Sequence, residues 1–348
     1  MFWFKRRKFE IPEIPGWNID PPDKRDYITE EILGAPPTAK WEEKTEFRRF
    51  PIGDQNKSGS CVAWTIAKLF GVESFLESGY FRFNSARDIY SQRPNQGPGM
   101  YIRDGMKIGV NKGVTLEALM PSLRQSETQM SQRTDARIDC EQIALIYKMK
   151  NFLSVSSQFD SQAGVIEFTK KALAIGVKGS NQGWTVSDGF VRPPKLGEHV
   201  WHHALAAVDF GLINGKKYIV VDNSWGEDFG NRGQAYLGEN YQAFMFPLAR
   251  YFQNLPDDWR DQEPHTIEKP KHQFNRNLGY GLTDDWEVKI LQRCFKWLGV
   301  FPRRIQATGN FYGITKEAAQ TFQTTEGISP VYGFVGPKTR AALNKIFA

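Results

Sequence analysis

Among the side chains able to do covalent chemistry, Cys61 stands in the most suggestive place. It closes the polar loop Asp54-Gln55-Asn56-Lys57-Ser58-Gly59-Ser60 and begins an apolar-periodic run. A thiol attacks as its thiolate, and a helix N-terminus beside an imidazolium favours that form. The bland alternative is a small buried hydrophobe, the usual fate of a lone cysteine. A partner imidazole must come from five histidines. His203 is the best placed, at the start of a β-prone run. Such a base needs a third group to hold its ring, and Asn223 lies at the far end of the next β-prone run. Taken singly, His203 reads as a core or surface histidine and Asn223 as a turn residue. Only their order and spacing make the chemical reading attractive.

Those residues need elements to carry them. Val62, Ala63, Ile66, Leu69, Phe70, Phe75 and Leu76 fall near one stripe, predicting a helix with Ser60 as N-cap and Gly79 near its end. Residues 85–120 read as a glycine-rich loop followed by a short helix, and 141–154 and 163–175 as two more helices. Two β-prone runs flank Asn214-Gly215, the signature of a two-residue type I′ hairpin. Simple pairing across that turn puts residue 206, not 203, opposite Asn223, so a bulge or looser turn is required. Helices first and strands second imply an α+β domain. Residues 254–277 are polar and read as a linker. After them, Phe311/Phe334, Gly313/Gly336, Ala318/Ala341 and Ala319/Ala342 repeat at a 23-residue offset. That echo predicts a small three-helix unit, with Thr315 capping one helix and Pro337 in the first turn of another.

Composition narrows the classes. The chain has 348 residues, 40% apolar, 24% charged and 14% aromatic, which suits a globular fold. Its net charge of +6 favours anionic surfaces, yet no basic block is long enough to argue for nucleic acid. Three widely spaced cysteines make neither a disulfide framework nor a metal spacing. His199 and His202 invite a zinc reading that no further ligand nearby completes, so no metal and no cofactor are expected. No run approaches the ~18 apolar residues of a membrane span, so no membrane partner is expected. Four apolar residues before the basic cluster at 5–8 do not make a secretory leader.

Together, Asp54–Trp64, His202–Leu205 and Tyr218–Leu237 resemble the papain-like cysteine peptidases over roughly 45–245. The resemblance implies a two-lobed fold, a helical lobe plus an antiparallel β-barrel-like lobe. It implies Cys61 as nucleophile, His203 as base and then acid, and Asn223 as the group that orients the imidazole. It further implies Gln55 as an oxyanion donor, Trp225 as a shield over the His–Asn contact, and Gly97 and Gly99 along a strand that pairs with substrate. Ser58, Val62 and Phe229 depart from the family's usual cysteine, tryptophan and tryptophan. No long helical inhibitory propeptide precedes Gln55, although Pro21–Tyr27 resembles a segment ahead of some microbial members.

Residues 284–348 resemble the small three-helix peptidoglycan-binding domain. The implied organisation is a lead-in over 1–45, a peptidase domain over 46–250, a linker over 251–280 and a wall-binding domain over 281–348. The implied function is a cysteine endopeptidase directed to bacterial cell wall, with peptide or protein as substrate and peptidoglycan as partner. Alternatives are a lytic enzyme that cuts cross-link peptides and a non-catalytic wall-binding protein on a peptidase fold. Without a visible leader, a phage-borne or lysis-released route to the wall is expected.

Overall fold

Helix α1 (Cys61–Ser78) is the central element of the first unit. Its stripe of Val62, Ala63, Ile66, Leu69 and Phe70 is buried, while Phe75 and Leu76 emerge into solvent. Almost every other residue from Cys61 to Ser74 is buried too, so this is a helix enclosed on all sides rather than one riding on a surface. It stops at Gly79, whose left-handed backbone (φ 74°) lets its N–H reach the Phe75 carbonyl. Ser60 precedes the helix, but its hydroxyl bonds Ser58 Oγ at 2.6 Å instead of capping.

This computed structural model describes residues 16–23, 26, 28–29, 39–133, 140–246, 248–253, 269–301 and 307–348. The chain forms two compact units, Met1–Asp26 with Pro37–Asn254, and Tyr27–Pro36 with Leu255–Ala348. The linker reading falls largely on 254–268, outside the described residues.

In the first unit, β1 (Trp17–Asn18), α2 (Ala86–Tyr90), β2 (Met100–Tyr101), α3 (Ile102–Asn111) and α4 (Glu127–Met130) accompany α1 on the helical side. Then come α5 (Cys140–Ile146), β3 (Asn151–Ser156), α6 (Phe159–Thr169), β4 (Leu173–Gly179), α7 (Asn181–Trp184), β5 (Phe190–Val191), β6 (Trp201–Ile213), β7 (Lys216–Asp222), β8 (Gln234–Gly238) and β9 (Leu248–Gln253). The sheet order is β3-β9-β4-β6-β7-β8-β5, antiparallel except for the β5–β8 pair. The architecture is α+β, as the order of elements implied.

Two helices are shorter than their sequence pattern suggested. The 141–154 run stays helical only to Ile146, and Asn151–Ser156 becomes a strand on β9. The 163–175 run ends at Thr169, Lys170 turns the chain with φ 59°, and Leu173 onward pairs with β6. Sheet pairing outweighs local helix propensity at both places.

The hairpin between β6 and β7 turns at Asn214 (φ 51°) and Gly215 (φ 72°), both in the left-handed region a type I′ turn needs. Near the turn, Ile213 pairs with Lys216 and Asp209 with Val220. Beyond a bulge between Ala207 and Asp209, Ala206 faces Asp222. Continued one step, that register sets residue 205, not 206, opposite Asn223. Since side chains alternate faces, the single extra residue moves His203 onto the face shared with Asn223.

The second unit has the three helices α8 (Trp286–Trp297), α9 (Gly313–Thr325) and α10 (Pro337–Phe347) around a core that includes Phe295, Phe311, Phe322 and Leu343. Its internal symmetry is built on two buried glutamines. Gln292 Nε2 donates to Asn310 O and Thr315 Oγ1, and its Oε1 accepts from Gly309 N. Gln323 does the same with Phe334 O, Thr339 Oγ1 and Gly333 N. The matching positions Gly309/Gly333 and Thr315/Thr339 are 24 residues apart, so the structural repeat is one longer than the sequence echo. Thr315 is therefore not a cap; Tyr312 holds that position and Thr315 sits inside the first turn. Pro337 does occupy the first turn of α10.

Candidate active site

Cys61 is the first residue of α1, and α1 packs against β6, the strand that carries His203. The sulfur lies within reach of the Ala204 backbone, the residue after His203. His203 Nε2 and Asn223 Oδ1 are 2.8 Å apart, with both side chains buried. Asn223 cannot swing away. Its Oδ1 also accepts from Ser224 N at 2.7 Å, and its own N–H donates to Gly233 O. Trp225 stacks on the imidazole with centroids 4.5 Å apart and an interplanar angle of 28°. Trp184 and Trp201 meet both Trp225 and His203 edge-on, and Phe229 packs beside Trp225. The aromatic wall keeps water from the His–Asn bond, so that bond keeps its full electrostatic strength.

Gln55 is held at both ends of its amide. Ser224 Oγ donates to its Oε1 at 2.7 Å, and its Nε2 donates to Ser58 O at 2.7 Å. Its backbone N–H donates to Ser224 O. The amide nitrogen retains a second hydrogen for a ligand. Ser58 is fully buried beneath this loop, its hydroxyl bonding Gln55 O at 2.7 Å and meeting Ser60 Oγ. Hydrogen bonds thus brace the loop through the very residue that departs from the family pattern. Sequence reasoning missed Ser224 and Trp184; Ser224 had a signal, being the residue next to Asn223.

The sequence placed Gly97 and Gly99 on the strand that pairs with substrate. The paired edge is in fact Met100–Tyr101, and what pairs with it, in parallel, is Trp17–Asn18 of the chain's own lead-in. Met100 N donates to Gly16 O at 3.3 Å. Gly99 (φ 79°) precedes that edge, with its N–H bound to the Tyr90 hydroxyl, and Gly97 lies farther out, exposed. Gly16 itself rests on the sulfur: a Cβ there would run into Cys61 Sγ. Trp17 is 3% exposed and Cys61 fully buried. Gly16–Asn18 thus lie over the sulfur and along that edge.

Four buried charges fasten the lead-in there. Arg103 on α3 donates to Asp26 Oδ2 at 2.5 Å, and through its backbone N–H to Asp20 Oδ1 at 2.8 Å. Arg250 on β9 reaches Asp20 Oδ2 at 3.3 Å and Asp26 Oδ1 at 3.2 Å. All four side chains are under 10% exposed. Nothing in the sequence flagged this cluster, because its arginine–aspartate contacts span 77 to 230 positions.

The covered state has a clear electrostatic character. Burial pushes the Cys61 thiol up to about 12, against weaker opposing pulls from the backbone of Ala204, Val62 and Cys61 itself. Burial pushes His203 down to about 4, opposed by its bond to Asn223. Both groups are neutral under the lead-in. His202, on the other face of β6, meets Phe246 and Trp17 edge-on, and burial lowers its pKa as well. His199 is exposed.

Comparison with known proteins finds relatives of the chain. A family described as papain family cysteine protease matches residues 35–245. Cathepsin K of Gallus gallus is 24% identical over 228 residues, covering 62% of this chain and 62% of the relative. Chymopapain of Carica papaya is 21% identical over 215 residues, covering 61% and 57%. The chain thus spans about six tenths of the length of these curated relatives. Among solved structures, the cysteine protease xylellain from Xylella fastidiosa matches with a TM-score of 0.58 at 19% identity, covering 71% of this chain and 99% of that one. A procathepsin B from Trypanosoma congolense gives 0.53 at 15%, covering 70% and 87%. At these identities the structural likeness speaks for the fold.

Proposed function

This chain belongs to the papain family of cysteine proteases, and on that premise we propose that it hydrolyses peptide bonds with Cys61, His203 and Asn223, once the lead-in has left the cleft. The observation that carries this reading is the buried 2.8 Å contact between His203 Nε2 and Asn223 Oδ1. It leaves the other ring nitrogen to serve the sulfur at the start of α1.

With the cleft open, water reaches both groups and the thiol can pass its proton to the imidazole. The sulfur then attacks the substrate carbonyl carbon. The free hydrogen of Gln55 Nε2 and the Cys61 N–H receive the developing oxyanion. His203 returns the proton to the amine nitrogen as the C–N bond breaks, and water, deprotonated by His203, hydrolyses the thioester and restores the thiol. Asn223 keeps the ring turned for both transfers, and Trp225, stacked on the imidazole, shields the His–Asn bond.

The test is alkylation of Cys61 by the epoxide E-64 at pH 6–7, mapped by mass spectrometry. Modification of Cys61 alone, lost in His203→Ala, is expected once the cleft opens; unselective labelling of all three cysteines would refute an activated pair. The covered sulfur also favours a second reading, a silent scaffold, and Asp26→Ala chain that neither labels nor cleaves peptides would establish it.

For the second unit we propose peptidoglycan as partner. Supporting this are the resemblance over 284–348, nine Lys and Arg against five acids in 278–348, and the exposed aromatics Trp286 and Tyr332. The full chain is expected to sediment with purified sacculi and to be released by salt. Release of soluble peptides from those sacculi, with casein untouched, would favour the lytic alternative over protein as substrate.

A further inference from the structure

Glu127, in the first turn of α4, carries a carboxylate that its own helix does not need. The start of α4 is already capped: Ser126 Oγ accepts from Gln129 N, and Gln129 Oε1 accepts from Ser126 N. The two oxygens of Glu127 go elsewhere. Oε2 accepts from Gly59 N at 2.8 Å, and Oε1 accepts from the Tyr90 hydroxyl at 2.7 Å. A phenol can donate and accept at once, and the Tyr90 oxygen accepts from Gly99 N at 2.8 Å. Tyr90 is buried. Burial first, and then the bond to Glu127, push its phenol well above the ordinary range, so it stays a donor. Arg93 lies over the Tyr90 ring, 3.8 Å from its centroid, and reaches Glu127 Oε1 at 3.6 Å, the cation that this carboxylate faces.

Both ends of this chain of bonds reach the cleft. Gly59 stands two residues before Cys61. A Cβ on Gly16 would meet Gly59 O at 3.2 Å as well as striking Cys61 Sγ. Gly99 leads into Met100, whose N–H donates to Gly16 O. The same glycine of the lead-in therefore touches the loop that carries the nucleophile and the edge beyond Gly99. One carboxylate ties that loop to that edge.

We propose that Glu127 is a positioning residue for peptide hydrolysis. Through Gly59 it sets the Cys61 N–H that receives the oxyanion, and through Tyr90 and Gly99 it sets the edge along which the substrate backbone is held. This rests on the peptidase reading above. The two arms separate in kinetics. An edge that holds ground state and transition state alike acts on KM, whereas an oxyanion donor acts on kcat.

The experiment takes the full chain carrying Asp26→Ala, the opened form, as parent. The probe is an internally quenched peptide copied from a casein site that the parent cleaves. Adding Tyr90→Phe cuts the tie to Gly99 and leaves the bond to Gly59; KM should rise about tenfold with kcat held within about twofold. Adding Glu127→Ala frees both ends, so the same rise in KM should come with a fall in kcat of about 10- to 100-fold. With Glu127→Ala present, Tyr90→Phe should move KM by no more than about twofold, because both act through one tie. Glu127→Gln keeps an oxygen for Gly59 N and should bring kcat back to within about threefold of the parent.

Ser126→Ala is the control for a merely structural role. It removes the cap of α4 and spares the carboxylate, so it should lower the melting temperature and leave kcat and KM alone. If Ser126→Ala reproduces the kinetics of Glu127→Ala, or if the KM effects of Tyr90→Phe and Glu127→Ala simply add, the proposal is overturned. A parent that cleaves casein, matched by Glu127→Ala in both constants, would overturn this proposal alone. A parent that cleaves nothing would overturn the peptidase reading, and this proposal with it.

Discussion

Asp26 holds two guanidinium groups at once, at 2.5 Å from Arg103 and 3.2 Å from Arg250, where all three side chains are buried. Asp26→Ala would remove the carboxylate that both guanidinium groups reach directly. Removing one partner of a buried charge pair costs about 3–5 kcal/mol, because the remaining charge is left uncompensated. The guanidinium groups belong to α3 and β9, which the core holds in place, whereas Asp26 belongs to a lead-in that can detach. The strain is therefore relieved by opening, and the closed form loses on the order of 3 kcal/mol, a factor of roughly 150 in the closed-to-open ratio. Cys61 is fully buried when closed, so iodoacetamide reaches it only through the open form, and where closing is fast the labelling rate follows the open population. A rise of about 100-fold is expected. Cys140 and Cys294 serve as internal controls, since both are buried and free. An unchanged rate at Cys61, or simultaneous labelling of all three thiols, would refute the reasoning. The latter would mean that the charges hold the whole fold together rather than the lead-in alone.

Gly16→Ala drives a methyl into the sulfur and should speed Cys61 alkylation about tenfold, at a cost in the overpacking range of about 1–3 kcal/mol; unaltered labelling would mean that the lead-in does not rest on the sulfur. His203 goes from an ordinary 6.5 to about 4 in the closed form, so the closed form excludes a proton that the open form accepts. Its stabilisation is complete above pH 6.5 and fades as pH falls to about 4, by up to about 3 kcal/mol. Tryptophan fluorescence should report opening over that window, and His203→Gln should flatten the slope. Cys61 acts at the other end: its thiol is raised from 9.0 to about 12, so closed-state stability is retained below pH 9 and lost above it, and Cys61→Ser should abolish that arm of a melting-temperature profile. Ser224→Ala releases Gln55 Oε1 from its 2.7 Å bond and should lower kcat about tenfold with KM little changed, a loss of about 1–1.5 kcal/mol of oxyanion positioning; an effect confined to KM would place Ser224 in substrate binding instead.

What the sequence determined by itself was whatever depends on near neighbours. Asn214-Gly215 dictates its turn because both residues tolerate positive φ, which the flanking strands require. The start and stop of α1 follow from the polar loop before Cys61 and from Gly79 after Ser78. The order of Cys61, His203 and Asn223, with Gln55 ahead, marked the candidate site without any structure. Where local pattern competed with pairing, it lost: 151–156 and 173–179 have apolar runs compatible with either element, and only β9 and β6 beside them make them strands.

Tertiary structure decided the rest, for a common reason. One extra residue in β6, between Ala207 and Asp209, chooses the face on which His203 sits; a bulge arises from how a whole strand pair twists, and no single residue announces it. The Ser224 hydroxyl meets Gln55 across 169 positions, and Arg250 meets Asp20 across 230. Such contacts join elements whose sequences carry no sign of one another. The lead-in shows this most sharply: an unpatterned stretch became the occupant of the cleft because Gly16 has no side chain to strike the sulfur and Trp17 fits over a glycine 159 positions away.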